Sequence, residues 1–139
     1  MKSVCLLGYY GAENFGDEIL LGSTIALLDS VESFKINIFT GNEKITAKQY
    51  PFYKAIPKFN FLEVITALIN SEALILGGGS IFQDVSSLKS VIYYSSVVFL
   101  AKMLGKKIIF LSQGIGPLRS YWAKFFTQCS CQMADWITV

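Results

Sequence analysis

The sequence predicts an α/β fold built on a mostly parallel sheet. Three observations carry this. Short apolar runs that suit strands alternate with apolar-periodic runs that suit helices, along the whole chain. The run Ala73-Leu-Ile-Leu76 is apolar without a break, as in a parallel strand buried on both faces. Glycine-rich segments follow three of the strands, and in a parallel sheet with right-handed crossovers such strand ends share one edge.

The first strand covers Lys2 to Leu7. A helix follows from Gly16 to Val31, with Leu20, Leu27, Leu28 and Val31 at the three-to-four spacing of one buried face. The second strand is Lys35 to Thr40, and the polar stretch Gly41 to Gln49 reads as a connection into the aromatic segment Tyr50-Pro51-Phe52-Tyr53. Ala55-Ile56-Pro57 reads as a short edge strand, because proline withdraws a donor from the ladder. A helix from Phe61 to Asn70 precedes the buried strand Ala73 to Leu76. The next helix, Leu88 to Leu104, has Ser87 as its N-cap and Gly105 as its stop. Tyr93, Tyr94, Val97, Val98, Phe99, Leu100 and Leu104 make it apolar over most of its circumference. Either it is the central helix of this domain, or its outer side meets another domain or subunit. The strand Lys107 to Ser112 and the helix Ser120 to Ala134 follow. In that helix Trp122, Phe126, Cys129 and Met133 form an apolar stripe that reads as core. Trp136 to Val139 reads as a last strand.

The 139 residues match the ~150 expected of one domain. Hydrophobic residues make up 53% and charged residues 16%, against roughly 25% charged in an average domain. Such a surplus can mark apolar surface covered by another domain, a partner or a membrane, so the isolated chain is expected to self-associate, and a homo-oligomer is one way to cover it. A net charge of +2 provides no basic stripe for nucleic acid. The longest apolar stretch, Val91 to Leu104, is interrupted by Ser95, Ser96 and Lys102, short of the ~18 consecutive residues of a membrane span. The N-terminal apolar run is too short for a signal peptide, which places the chain in the cytoplasm as an expectation. Of the three cysteines, Cys5 belongs to a core strand, and Cys129 and Cys131 point to different sides of one helix. With no histidine in the chain they form no zinc set, so no metal is expected and the cysteines are read as reduced.

Three loops carry the candidate chemistry. Gly8-Tyr-Tyr-Gly11-Ala-Glu-Asn14-Phe-Gly16-Asp17-Glu18 joins a strand to a helix, and places backbone N–H groups and a helix N-terminus toward a ligand. Its glycine spacing differs from the dinucleotide fingerprint, and it lacks the Lys-Ser/Thr of a P-loop. Asp17 and Glu18 repel a phosphate on the helix axis, so the loop suits sugar hydroxyls or a mixed polar ligand; equally, it is a tight turn capped by Asn14 or Asp17. Gly8, Tyr10, Gly11, Asn14, Gly16 and Asp17 are its candidate binding residues. The second loop supplies Gly77, Gly78, Gly79, Ser80, Gln83 and Asp84, whose consecutive glycines point to positive φ or close ligand approach. The third supplies Gln113, Gly114, Gly116 and Arg119, the chain's one arginine, which suits a carboxylate or phosphate unless it is merely solvated in a first helical turn.

Taken together, Gly8 to Glu18, Leu76-Gly-Gly-Gly-Ser-Ile-Phe-Gln-Asp84, Tyr93-Tyr94 and Gln113-Gly-Ile-Gly-Pro117 resemble the polysaccharide pyruvyl transferase family, including enzymes that pyruvylate secondary cell-wall polymers. The resemblance spans essentially the whole chain and is specific in combination. It implies a Rossmann-like domain with helices on both faces, similar to the N-terminal half of a GT-B glycosyltransferase-like fold. It implies transfer from phosphoenolpyruvate to two sugar hydroxyls, giving a pyruvate ketal and phosphate, with no further cofactor. The N-terminal domain of such folds meets the acceptor, often a lipid-linked saccharide, which would bring the chain to the inner membrane face.

The family's donor-binding arginine and catalytic histidine have no counterpart here. Proton transfer near neutral pH usually falls to histidine, and Asp17, Glu18 and Asp84 are carboxylates near the loops. The expectation is therefore a single N-terminal domain over residues 1–139, inactive alone, whose C-terminal domain or partner subunit is missing. Two other readings stand beside it. One is a saccharide-binding remnant without catalysis. The other is a generic nucleotide-binding domain, disfavoured because Phe39-Thr40-Gly41-Asn42 lacks the acidic residue that holds a ribose.

Overall fold

In the computed structural model, residues 1–79, 81–83 and 88–138 are described. Among them strands and helices alternate: β1 (Lys2–Leu7), α1 (Phe15–Val31), β2 (Phe34–Thr40), α2 (Glu43–Gln49), β3 (Lys54–Pro57), α3 (Phe61–Ile69), β4 (Ala73–Gly77), α4 (Leu88–Met103), β5 (Lys107–Leu111), α5 (Tyr121–Met133) and β6 (Trp136–Ile137). The strands form one sheet in the order β3-β2-β1-β4-β5-β6, parallel throughout. The chain winds outward from β1 to β3, crosses back, and winds outward from β4 to β6. The reversal lies between β1 and β4, and in open α/β sheets ligands bind at that point, outside the strands' C-terminal ends.

Alternation along each strand divides the core in two. Cys5, Leu7, Leu74, Leu76, Ile108 and Phe110 face α3, α4 and α5, while Val4, Leu6, Ile36, Ile38 and Ile75 face α1. This is the α/β, Rossmann-like architecture the sequence predicts, with helices on both faces. Pro57 closes β3 at the outer edge, where its missing donor costs no ladder bond. Gly105 stops α4 with a φ of 74°, a conformation that favours glycine. Ser87, the expected cap of α4, lies outside the described residues. Among the described residues no helix is long and apolar enough to cross a membrane.

Three expectations need correction. The polar stretch Gly41 to Gln49 contains α2, capped by Asn42, whose side chain accepts from Ile45 N at 3.2 Å. This helix buries Thr46 alone, so it shows no apolar period in the sequence. On α1 the buried positions are Leu21, Thr24 and Ile25, and Leu27 and Val31 are exposed. Thr24 can be buried because its hydroxyl donates to Leu20 O, and Leu20 itself lies over Gly78. On α5 the stripe read as core is displaced. Ala123, Thr127 and Ser130 are buried, Trp122 is exposed, and Phe126, Cys129 and Met133 are half-buried. The cause is the contact with α4, where Ser95 Oγ donates to Phe126 O at 3.3 Å. Backbones that come this close select small residues at the contact and push aromatic rings to its flank. Phe125 and Phe126, with Phe99, line an apolar groove of about 340 Å³. α4 is accordingly buried toward both the sheet and α5, and it exposes Ile92, Phe99 and Met103.

Candidate functional site

The three glycine-bearing loops meet at the C-terminal edge of β1, β4 and β5, and specific bonds fasten them. Tyr10 Oη donates to Gly77 O at 2.8 Å, tying the first loop to the second. Gly114 N donates to Gly79 O, Gly116 N to Phe82 O, and Gln113 Nε2 to Gly78 O, which zips the third loop onto the second. Phe82 and Ile115 add a parallel bridge beyond the ends of β4 and β5. Ser80 and Asp84 lie outside the described residues.

Several of the glycines accommodate the protein's own side chains. A Cβ at Gly8 would lie 2.5 Å from the Tyr10 ring, and one at Gly77 would lie 2.7 Å from Tyr10 Oη. Gly11, at φ 79°, packs against Thr40 and Asn42. Gly79, at φ 75°, lies under the Asp17 carboxylate, 2.7 Å from where its Cβ would be. Tyr10 is thus a buried strut whose phenol is held well above its usual pKa by burial and then by Asp17.

Between the first two loops is a pocket of about 350 Å³ lined by Tyr9, Asn14, Asp17, Ile81, Gln83, Ser90 and Tyr94. Of the candidates read from sequence, Asn14, Asp17 and Gln83 line it. Asn14 caps α1, its Oδ1 accepting from Gly16 N and Asp17 N. Glu18 turns back to accept from Gly11 N at 2.8 Å, leaving Asp17 as the carboxylate that faces the pocket. Burial, and then Glu18, raise the Asp17 carboxyl above the ordinary aspartate range. Gln113 is buried behind the loops, and among the described residues its Oε1 accepts no hydrogen bond. Arg119 is exposed and is not among the residues lining the pocket.

Tyr9, Ser90 and Tyr94 line the pocket without being among the candidate binding residues read from sequence, although Tyr9 and Tyr94 belong to strings that carry the family resemblance. Tyr9 and Tyr10 are neighbours with opposite fates: Tyr9 is 46% exposed at the pocket and Tyr10 is 2% exposed. The string Gly-Tyr-Tyr-Gly does not say which ring turns inward. Tyr94 reaches the site from α4, its hydroxyl 3.5 Å from Gly8 O and its pKa raised by burial, so it remains a donor. The arrangement offers a carboxylate, two amides, two hydroxyls and an aromatic face, a set suited to a polyhydroxylated ligand. Among the described residues no three cysteine, aspartate or glutamate side chains converge to hold a metal ion.

No curated protein matches the chain. The family model for polysaccharide pyruvyl transferase matches residues 14–139, which contain α1, both distal loops and all but one side chain of the pocket lining, and the chain belongs to that family.

Proposed function

We propose that this chain is the acceptor-side domain of a polysaccharide pyruvyl transferase, binding a saccharide for pyruvyl transfer from phosphoenolpyruvate. In that reaction two saccharide oxygens bond to the enol carbon and phosphate leaves. One hydroxyl proton goes to the methylene carbon, making it a methyl group, and the other leaves with phosphate. The observation that carries the reading is the polar pocket at the sheet's reversal point in a member of this family. Asp17 and Gln83 take sugar hydroxyls, Asn14 donates through Nδ2, and the exposed Tyr9 ring covers a sugar face. The raised pKa of Asp17 makes it a better proton acceptor for a hydroxyl than an ordinary aspartate.

The chain has no histidine to protonate the methylene carbon. We assign that step, and the main donor-binding cations, to a C-terminal domain or partner subunit that faces this edge, as in a two-domain GT-B-like arrangement. The proposed setting is the cytoplasm, at the inner membrane face where a lipid-linked acceptor would lie.

Nuclear magnetic resonance titration with neutral hexoses and N-acetylhexosamines tests the binding. Shifts at Tyr9, Asn14, Asp17, Gln83 and Tyr94 are expected, and saccharides that leave these signals unmoved refute the reading. Incubation with phosphoenolpyruvate and acceptor should produce no ketal from this chain alone. Ketal formation would overturn the assignment of catalysis to a second domain.

A further inference from the structure

Lys58 follows β3, and its side chain runs inward across the end of β2: a Cβ at Gly41 would come 3.8 Å from Lys58 Cε. The ammonium ends among three aromatic rings, 5.4 Å from the Tyr9 centroid, 5.2 Å from Phe59 and 5.8 Å from Tyr93. Tyr93 fixes this arrangement by donating from Oη to Lys58 O, while Lys58 N donates to Thr40 O. Phe59 and Tyr93 meet edge to face, as do Tyr93 and Tyr94. Tyr9 and Tyr94 both line the pocket; Lys58 is not itself a lining residue, and it reaches the pocket's edge through the Tyr9 ring, 5.4 Å from its ammonium. Among the described residues Lys58 forms no salt bridge; the pairs formed are Lys2–Glu32 and Lys102–Asp135.

A half-buried ammonium with no carboxylate has given up water for ring faces, and its pKa is lowered by that burial. The helix end of the pocket is the opposite case. Asp17 lines it and Glu18 closes the loop behind it, so an anion is repelled there. The pocket is therefore polarised, with acceptors for hydroxyls at the α1 end and a cation at the Tyr9 end.

We propose that Lys58 is the anion anchor of this pocket, taking the phosphoryl group of a phosphorylated ligand whose hydroxyl-bearing part lies toward Asp17. Lysine presents a point charge without the fork that selects a planar carboxylate, which suits a phosphoryl oxygen. The rings hold the charge at the rim and strip part of its hydration, so the cost of desolvation is met before the ligand arrives. The identity of the phosphoryl group's owner rests on the acceptor-side reading; the anchor itself does not. A sugar phosphate acceptor and phosphoenolpyruvate share this chemistry.

The test is resonance titration of the 139-residue chain with inorganic phosphate, a hexose 1-phosphate, phosphoenolpyruvate and the unphosphorylated hexose. The phosphates should shift the signals of Lys58, Tyr9, Phe59 and Tyr93, and Lys58→Met should weaken them by roughly 10- to 100-fold, the usual loss for a hydrogen bond to a charged group. Lys58→Arg should retain most of the affinity, and neither variant should alter binding of the neutral hexose by more than a few-fold. Tighter binding of hexose 1-phosphate than of phosphoenolpyruvate assigns the anchor to the acceptor, and the reverse order assigns it to the donor. Phosphates that bind no better than the neutral hexose, or that bind Lys58→Met equally well, overturn the proposal. Should Lys58→Met fail to fold, the wild-type chain decides: phosphate-induced shifts that spare Lys58 and its three rings also overturn it. Transfer activity is not read, so absence of ketal formation bears on the proposed function alone.

Discussion

Single atoms at the first loop decide whether the site exists. Gly11 combines φ 79° with contacts that a Cβ would violate, 2.1 Å to Thr40 Oγ1 and 2.6 Å to Asn42 N. Gly11→Ala should therefore cost roughly 2–4 kcal/mol in urea unfolding, strain and overpacking together. Gly105 has a similar φ of 74° with nothing near its missing Cβ, so Gly105→Ala should cost only about 1–2 kcal/mol. Equal losses at the two positions would show that backbone conformation alone matters. Asp17 gives a second test. Because burial and Glu18 raise its carboxyl, the folded chain holds that proton more tightly than the unfolded chain. The favourable share is present in acid and is lost as pH rises through the raised folded pKa. Asp17→Asn should therefore gain on the wild type in thermal stability as pH rises from below the ordinary aspartate range through the raised folded pKa. It should also bind saccharide more weakly, because an acceptor oxygen is exchanged for a donor. A stability difference that is flat with pH would remove the carboxylate from its assigned environment.

At the scale of elements, α5 shows what a sequence reading misses and why. Its apolar spacing is a true helix signal, but it points to Trp122, Phe126, Cys129 and Met133 as core, where the structure has Ala123, Thr127 and Ser130. Spacing reports that a helix has sides; it does not report how near the neighbour lies. The same limit moved the buried side of α1 to Leu21, Thr24 and Ile25. Continuous strands were legible because four or five apolar residues in a row have few alternatives, and Ala73 to Leu76 appears as β4 with one residue added. The loops were legible as a place, through glycines at strand ends. Their side-chain directions were not, since Tyr9 and Tyr10 exchange roles by one residue, and Lys58 comes from a strand end with no glycine motif. The α4–α5 contact contains one flaw that can be measured. Thr127 is buried and its Oγ1 has no hydrogen-bond partner among the described residues. Thr127→Val keeps the shape and removes the unmet group, so it should raise unfolding free energy by about 1 kcal/mol. A loss of stability would mean that the hydroxyl is bonded in solution, for instance to a trapped water.

For the molecule as a whole, the unevenness of its coverage matters most. α1 and the aromatic segment with Tyr50 and Tyr53 pack over Val4, Leu6, Ile36, Ile38 and Ile75 on one face of the sheet. Farther along that face, Ile109 and Leu111 are only half-buried, and Trp136, paired in register with Ile109, is 65% exposed. On the opposite side Phe99 and Phe125 stand exposed along the α4–α5 groove, with the exposed Trp122 beside Phe125. Exposed large apolar side chains gathered in two patches lower the solubility of a monomer, and a net charge of +2 opposes association only weakly. The isolated chain should therefore sediment as a concentration-dependent mixture of monomer and larger species, and sulfate should shift it toward the larger ones by strengthening apolar burial. Substitution separates the two patches. Trp136→Lys interrupts the sheet face and Phe99→Lys interrupts the groove, and each surface change should alter stability by no more than about 0.5 kcal/mol. The variant that restores a single monomeric boundary identifies the surface that the fold leaves to a neighbour. A wild-type chain that stays monomeric at millimolar concentration would show that both patches are tolerated in water and that the apolar surplus has no partner to meet.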